Sequence, residues 1–139
     1  MKFSNQLKIA IIDDSVFYNR LVTHQLKNYV KALEIDYGFG FEIQSYTDAK
    51  EFENNLTSNL DFVFTDYFLG DHKTAKDIIA LTQSNCNACT VVVISQIRNT
   101  ETSIDTLEQG AAKFILKDKK TLEKTCFFLT DFLTKPSLA

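Results

Sequence analysis

The chain has 139 residues, 45% of them hydrophobic and 24% charged, with only four glycines and one proline. That length suits a single domain, 1–139, able to bury roughly two-thirds of its surface, and the composition excludes a disordered tail, a collagen-like fibre and a proline-rich linker. A formal net charge of −3 argues against sequence-independent nucleic-acid binding, which relies on cationic surface.

Short apolar runs alternate with longer stretches of helical periodicity. Leu7 to Ile12 reads as a strand, continuous in apolar residues apart from Lys8. From Ser15 onward, Tyr18, Leu21, Val22, Leu26, Tyr29, Val30 and Leu33 recur at three- and four-residue steps, which predicts a helix. The Tyr37-Gly-Phe-Gly stretch ends it, and Phe41, Ile43 and Ser45 alternate as a second strand. Thr47-Asp48 can cap a short helix holding Phe52 and Leu56, before a third strand at Phe62 to Thr65. A helix with Ile78, Ile79 and Leu81 precedes a β-branched fourth strand, Thr90 to Ile94. Thr100 or Thr102 starts the next helix, Gly110 ends it, Lys113 to Leu116 is a fifth strand, and a last helix runs from Lys119 to about Leu133.

Five β-α units imply a doubly wound α/β domain, with a parallel sheet covered by helices on both faces. No apolar run exceeds four residues, whereas a membrane span needs about 20. No secretory leader is expected either, so the predicted location is cytoplasmic with no membrane contact. Three cysteines are too few and too odd in number for a disulfide framework. Cys86 and Cys89 form a C-x-x-C pair, but the remaining candidates for a zinc site, Cys126, His24 and His72, lack suitable spacing, and the pair precedes a strand rather than following one. They read as reduced structural thiols.

In such a sheet, function belongs in the crevice beyond the carboxyl ends of the strands. Asp13 and Asp14 stand after the first strand, Asp66 after the third, Ser95 after the fourth and Lys117 after the fifth. Singly each has an ordinary explanation: a helix cap for Asp14 or Ser15, a turn for Asp66, a solvated basic run for Lys117. Together they describe a site. Three crowded carboxylates repel one another unless a cation holds them, and hard oxygen donors suit Mg²⁺. A lysine opposite them can clamp a phosphoryl oxygen, and a serine hydroxyl can donate to it.

With those residues placed, the chain resembles the receiver domain of two-component response regulators along nearly its whole length. The matching segments are Leu7-Lys-Ile-Ala-Ile-Ile-Asp-Asp-Ser, Asp61-Phe-Val-Phe-Thr-Asp-Tyr-Phe-Leu-Gly, Val91-Val-Val-Ile-Ser and Glu108-Gln-Gly-Ala-Ala-Lys-Phe-Ile-Leu-Lys. The resemblance implies a flavodoxin-like (βα)5 fold of strand order 2-1-3-4-5. It implies a signalling switch rather than an enzyme, with at most Mg²⁺-dependent self-phosphorylation and self-dephosphorylation. Asp66 is then the acceptor of a phosphoryl group from a histidine kinase or histidine phosphotransfer protein. Mg²⁺ is held by Asp14, Asp66 and the backbone carbonyl of Phe68, with Asp13 acting mostly through water. Lys117 contacts the phosphoryl oxygens, while Ser95 and Phe114 form the switch that signals to a downstream protein target.

The chain also departs from the family pattern. Asp118 follows Lys117 where Pro is usual, which argues for a trans peptide there, since a non-proline cis bond costs about 2.5–4 kcal/mol. Gln96 follows Ser95 where a small residue is usual, the loop after Asp66 lacks the common Pro and Gly, and the stretch from Lys31 to Gly40 is longer. Phe68 and Ile97 would flank the path of water to a phosphorylated Asp66, with Gln96 between, and predict slow hydrolysis. On the last helix, Leu122, Cys126, Leu129 and Leu133 share a face expected to meet the sheet. Phe127 and Phe128 point away from it, and Phe132 lies at its edge. Those rings are either covered by neighbouring loops or serve a partner or a homodimer through the last helix.

No output domain is expected after the last helix, so the predicted output is a protein contact, with no nucleic acid. Two other classes compete. A phosphorylation-independent module that keeps only the fold would normally have lost Asp66 or Lys117. A small enzyme fits less well: a flavin carrier needs a Ser/Thr/Gly-rich loop where Asp13-Asp-Ser stands, and a haloacid-dehalogenase-type phosphatase needs an acid at Phe68.

Overall fold

The computed structural model describes residues 6–38, 40–86, 88–96 and 99–134. Its elements alternate as the apolar pattern predicts: β1 (Gln6–Ile12), α1 (Val16–Tyr37), β2 (Gly40–Tyr46), α2 (Ala49–Asn55), β3 (Phe62–Asp66), α3 (Ala75–Asn85), β4 (Thr90–Ser95), α4 (Thr100–Gln109), β5 (Lys113–Leu116) and α5 (Thr121–Thr134). All five strands are parallel, in the flavodoxin-like order β2-β1-β3-β4-β5. The reversal of winding direction falls between β1 and β3, where Ile12 pairs with Thr65.

The continuous apolar runs resolve into two cores, because alternate side chains of a strand face opposite ways. Ile9 and Ile11, Phe62 and Phe64, and Val92 and Ile94 pack with Val22, Leu26, Val30 and Leu33 of α1 and Leu129 of α5. Ala10 and Ile12, Val63, and Val91 and Val93 pack with Phe52 of α2 and Ile78 and Ile79 of α3. Both faces of the central strands are therefore buried, whereas the edge strand β2 is partly exposed.

Local signals set the helix ends. Ser15 rather than Asp14 caps α1, its hydroxyl accepting the Tyr18 N–H at 3.2 Å. Asn99 caps α4, which ends at Gly110 with φ 125, a conformation that favours glycine. The longer segment from Lys31 becomes helix, since α1 continues to Tyr37 and stops at a left-handed Gly38 with φ 72. Between β3 and α3 the chain makes a small hairpin. The Lys73 N–H donates to Gly70 O at 2.9 Å, and positive φ at both Asp71 and His72 marks a mirror-image turn.

The last helix corrects one expectation. Leu129 is buried in the sheet core and half-buried Leu133 packs against it as expected, but the other buried positions are Thr121 and Thr125, while Leu122 and Cys126 are only half-buried. The Phe128 ring is half-buried rather than turned away, and both Phe128 and Phe132 meet Phe62 edge-on, at 6.5 and 4.5 Å between centroids. Threonine can face inward because its hydroxyl is satisfied locally: Thr121 donates to Leu116 O at 3.0 Å and Thr125 to Thr121 O at 2.8 Å. Phe127 does stand in solvent, 66% exposed.

Candidate functional site

Asp13, Asp14, Asp66, Ser95 and Lys117 come together at the carboxyl edge of the sheet. Asp66 closes β3 and Ser95 closes β4, while Asp13 and Lys117 each directly follow a strand. Main-chain bonds hold these ends in step. The Asp13 N–H donates to Tyr46 O at 3.1 Å, and the Lys117 N–H to Ser95 O at 2.8 Å.

The Lys117 ammonium is the centre of the cluster. It lies 2.8 Å from Asp13 Oδ2 and 3.2 Å from Asp66 Oδ2, with all three side chains largely buried. The other oxygens are also engaged, Asp13 Oδ1 accepting the Ser15 N–H at 2.9 Å and Asp66 Oδ1 the Tyr67 N–H at 2.8 Å. The Asp66 carboxyl is raised to about 6 by the balance of its surroundings: burial is the largest cause, Lys117 opposes it and Asp13 adds to it. Burial opposes the Lys117 charge too, yet the bonds and charges of Asp13 and Asp66 hold its pKa above the ordinary value.

Asp13, Asp14 and Asp66 each place one oxygen within 4.8 Å of the others. Three carboxylates against one ammonium leave two negative charges, and hard oxygen donors at this spacing fit a small divalent cation such as Mg²⁺. The bridge between Phe68 and Thr74 is closed by the Ala75 N–H on Tyr67 O and the Leu69 N–H on Lys73 O, so it leaves the Phe68 carbonyl out.

A cleft of about 360 Å³, lined by Asp14, Asp66, Phe68, Ser95, Gln96 and Lys117, opens on the cluster. Phe68 is 59% exposed and leans edge-on against Tyr67, so it borders the cleft without closing it. Ile97, its expected counterpart, lies outside the described residues. Phe114 is half-buried against the α2–α3 core. The Lys117–Asp118 peptide is trans, and the turn that follows is held by the Asp118 N–H on Thr121 Oγ1 at 2.7 Å.

Two further residues belong to the site although neither is acidic. Buried Asn19 donates to Asp13 O at 3.2 Å and to Tyr46 O at 2.8 Å, tying α1 to the ends of β1 and β2. The Tyr18 ring lies under the Lys117 ammonium, 4.1 Å from its centroid. Tyr18 is readable from the sequence only as an apolar position of α1, and a buried asparagine amid that apolar stripe is the one hint of Asn19.

No protein-family model and no curated protein matches the chain. Solved structures do. The chain is similar to the BeF3-activated receiver domain of DrrB, with a TM-score of 0.76 and 18% identity over 94% of this chain and 99% of that one. A response regulator receiver domain from Rhodospirillum rubrum aligns with a TM-score of 0.71 and 20% identity, covering 94% and 96% of the two chains. Against the response regulator DrrB of Thermotoga maritima the TM-score is 0.73 at 19% identity, and 92% of this chain covers 52% of that one. The chain thus spans about half the length of that regulator and has the fold of its receiver domain.

Proposed function

We propose that the protein is a phosphorylatable signalling receiver, with Asp66 as the phosphoacceptor. The observation that carries this reading is the Lys117 ammonium set between the Asp13 and Asp66 carboxylates beside an open cleft. An Asp66 oxygen attacks the phosphorus of a phosphohistidine on a kinase or phosphotransfer protein. The N–P bond breaks, its electron pair returns to the imidazole, which takes up a proton, and an acyl phosphate forms on Asp66. This chemistry depends on positioning and charge neutralisation more than on acid–base help, and Lys117 is 3.2 Å from the oxygen at which charge must be balanced.

Asp14, Asp66 and the Phe68 carbonyl would hold Mg²⁺ directly and Asp13 through water, and the ion would supply the charge balance that lets a phosphoryl group approach three carboxylates. Ser95 lines the cleft, where its hydroxyl would donate to the phosphoryl group. In this reading the Ser95 hydroxyl follows the new phosphoryl group, and the half-buried Phe114 ring follows Ser95 inward. The output is a protein contact at the groove between β5 and α5, where Phe127 is exposed beside Lys113 and Lys124. A downstream target or a second copy of the chain would dock there.

The test is labelling with acetyl phosphate, or beryllofluoride binding, with and without Mg²⁺, in wild type and Asp66→Asn. Label is expected only on wild type with Mg²⁺. Label surviving Asp66→Asn or excess chelator overturns the assignment. No label on wild type would leave a receiver fold acting as a phosphorylation-independent interaction module.

A further inference from the structure

The geometry points to Tyr18 as a positioning residue that aims the Lys117 ammonium at Asp66, an inference that rests on the phosphoacceptor reading above. Lysine carries a compact charge on a flexible four-carbon stem, so two carboxylates alone define a swath of acceptable positions rather than a point. Here a third contact comes from the opposite chemistry. The Tyr18 ring face lies 4.1 Å from Lys117 Nζ, within the range at which an aromatic quadrupole attracts a cation. Ring, Asp13 and Asp66 together fix the ammonium from three directions.

The ring is itself held by backbone already committed to the site. The Tyr18 N–H donates to the Ser15 hydroxyl that caps α1, and Ser15 in turn donates its N–H to Asp13. The next residue, Asn19, bonds to the Asp13 and Tyr46 carbonyls. The first turn of α1 is thereby bolted to the end of β1, and the half-buried Tyr18 ring packs against the core that α1 shares with the sheet. Lys117 is largely desolvated, the setting in which a cation–π contact is strongest.

When Asp66 acquires a phosphoryl group, the ammonium must pass its contact from a carboxylate oxygen to a phosphoryl oxygen. A contact to Asp66 is lost in that step. The ring contact is not, because it lies on a group that takes no part in the transfer. Tyr18 therefore keeps the charge within reach of the transferring group throughout, and its effect falls on the rate of transfer rather than on donor binding.

The test compares Tyr18→Leu, which keeps apolar bulk but loses the ring face, with Tyr18→Phe, which keeps the ring, in single-turnover labelling by acetyl phosphate with Mg²⁺. Tyr18→Leu is expected to lower the maximal rate about tenfold at unchanged half-saturating donor concentration, and Tyr18→Phe to recover most of it. In a Lys117→Met background, Tyr18→Leu should add nothing. A Tyr18→Leu rate within twofold of wild type, an equal loss in Tyr18→Phe, or losses that add in the Lys117→Met background would each overturn the inference, the last by showing a merely structural effect. A second readout needs no phosphodonor: the side-chain proton resonances of Lys117 should be shifted upfield by the ring in wild type and Tyr18→Phe, and not in Tyr18→Leu. An unshifted Lys117 in wild type refutes the contact, whereas a shifted Lys117 in a protein that takes up no label refutes the phosphoacceptor reading instead.

Discussion

Two clusters of titratable side chains lie at opposite ends of the same sheet. At the carboxyl end Asp66 is raised to about 6, chiefly by burial, and Lys117 works against that rise. At the amino end the Cys89 thiol is pushed up to about 12, chiefly by burial, with Cys86 and Asp61 contributing to the rise. Cys86 is raised by burial as well, with its thiol directed at Thr57 O at 3.4 Å. Burial acts alike on both clusters. Most of the gap between the two groups is the intrinsic acidity of a carboxyl against a thiol, and the neighbours add to it: Lys117 lowers Asp66, whereas the neighbours of Cys89 raise it.

The largest expected contrast is in thiol chemistry. At pH 7.5 native Cys89 should alkylate on the order of a thousandfold more slowly than a free cysteine, because so little of it is thiolate, and unfolding should restore the ordinary rate. Site-resolved mass spectrometry after iodoacetamide treatment measures this directly, and rapid labelling of native Cys89 would erase the contrast.

Making the carboxyl end resemble the amino end is the next test. Lys117→Ala removes the opposing charge, and phosphoryl uptake from acetyl phosphate should fall about 10²- to 10³-fold. An uptake rate near wild type would mean that Lys117 does not serve the transfer.

A smaller effect is expected at the cleft rim. The exposed Phe68 ring offers no hydrogen bond to an attacking water, so Phe68→Asn should shorten the lifetime of the phosphorylated form by about tenfold, the equivalent of one contact of about 1.4 kcal/mol. The decay of labelled protein after donor removal gives the number, and an unchanged half-life would show that this side chain does not guard the group.

The smallest effect is on stability. The folded Asp66 carboxyl holds its proton more tightly than the unfolded one, so its contribution is favourable below pH 4 and is lost as the pH rises through about 6. Asp66→Asn in EDTA should therefore raise the melting temperature at pH 7.5, by about 3 °C for about 1 kcal/mol after allowing for solvent screening. The gain should vanish toward pH 4. A gain independent of pH would point to packing rather than charge.

Much of this architecture is legible in one dimension. Runs such as Ile9–Ile12 and Val91–Ile94 announce strands buried on both faces, and Asp13, Asp66, Ser95 and Lys117 stand at their ends, so parallel pairing alone brings them to one edge. Caps are legible in part. Ser15 is, and the Thr74–Asp77 pair at 2.8 Å has the local spacing of a capping box, whereas the hairpin before it, with left-handed Asp71 and His72, rests on the bridge between Phe68 and Thr74.

Facing and proximity across the fold are another matter. Counting apolar residues on α5 points to Leu122, Cys126, Leu129 and Leu133, yet the helix turns Thr121 and Thr125 inward and closes Phe128 and Phe132 on Phe62. A threonine hydroxyl bonded to a nearby carbonyl buries at little cost, and only the surface it meets decides whether it does so. Lys117 and Asp13 stand 104 residues apart in the chain, and the tyrosine beneath the ammonium is an ordinary apolar helix position until β1, β3 and β5 align. The identity and order of the strand-end charges are sequence properties, because strand periodicity is local. The three-sided hold on Lys117 belongs to the tertiary structure, because it takes the register of separate strands and the capped first turn of α1 to bring ring, carboxylates and ammonium within 4.1 Å.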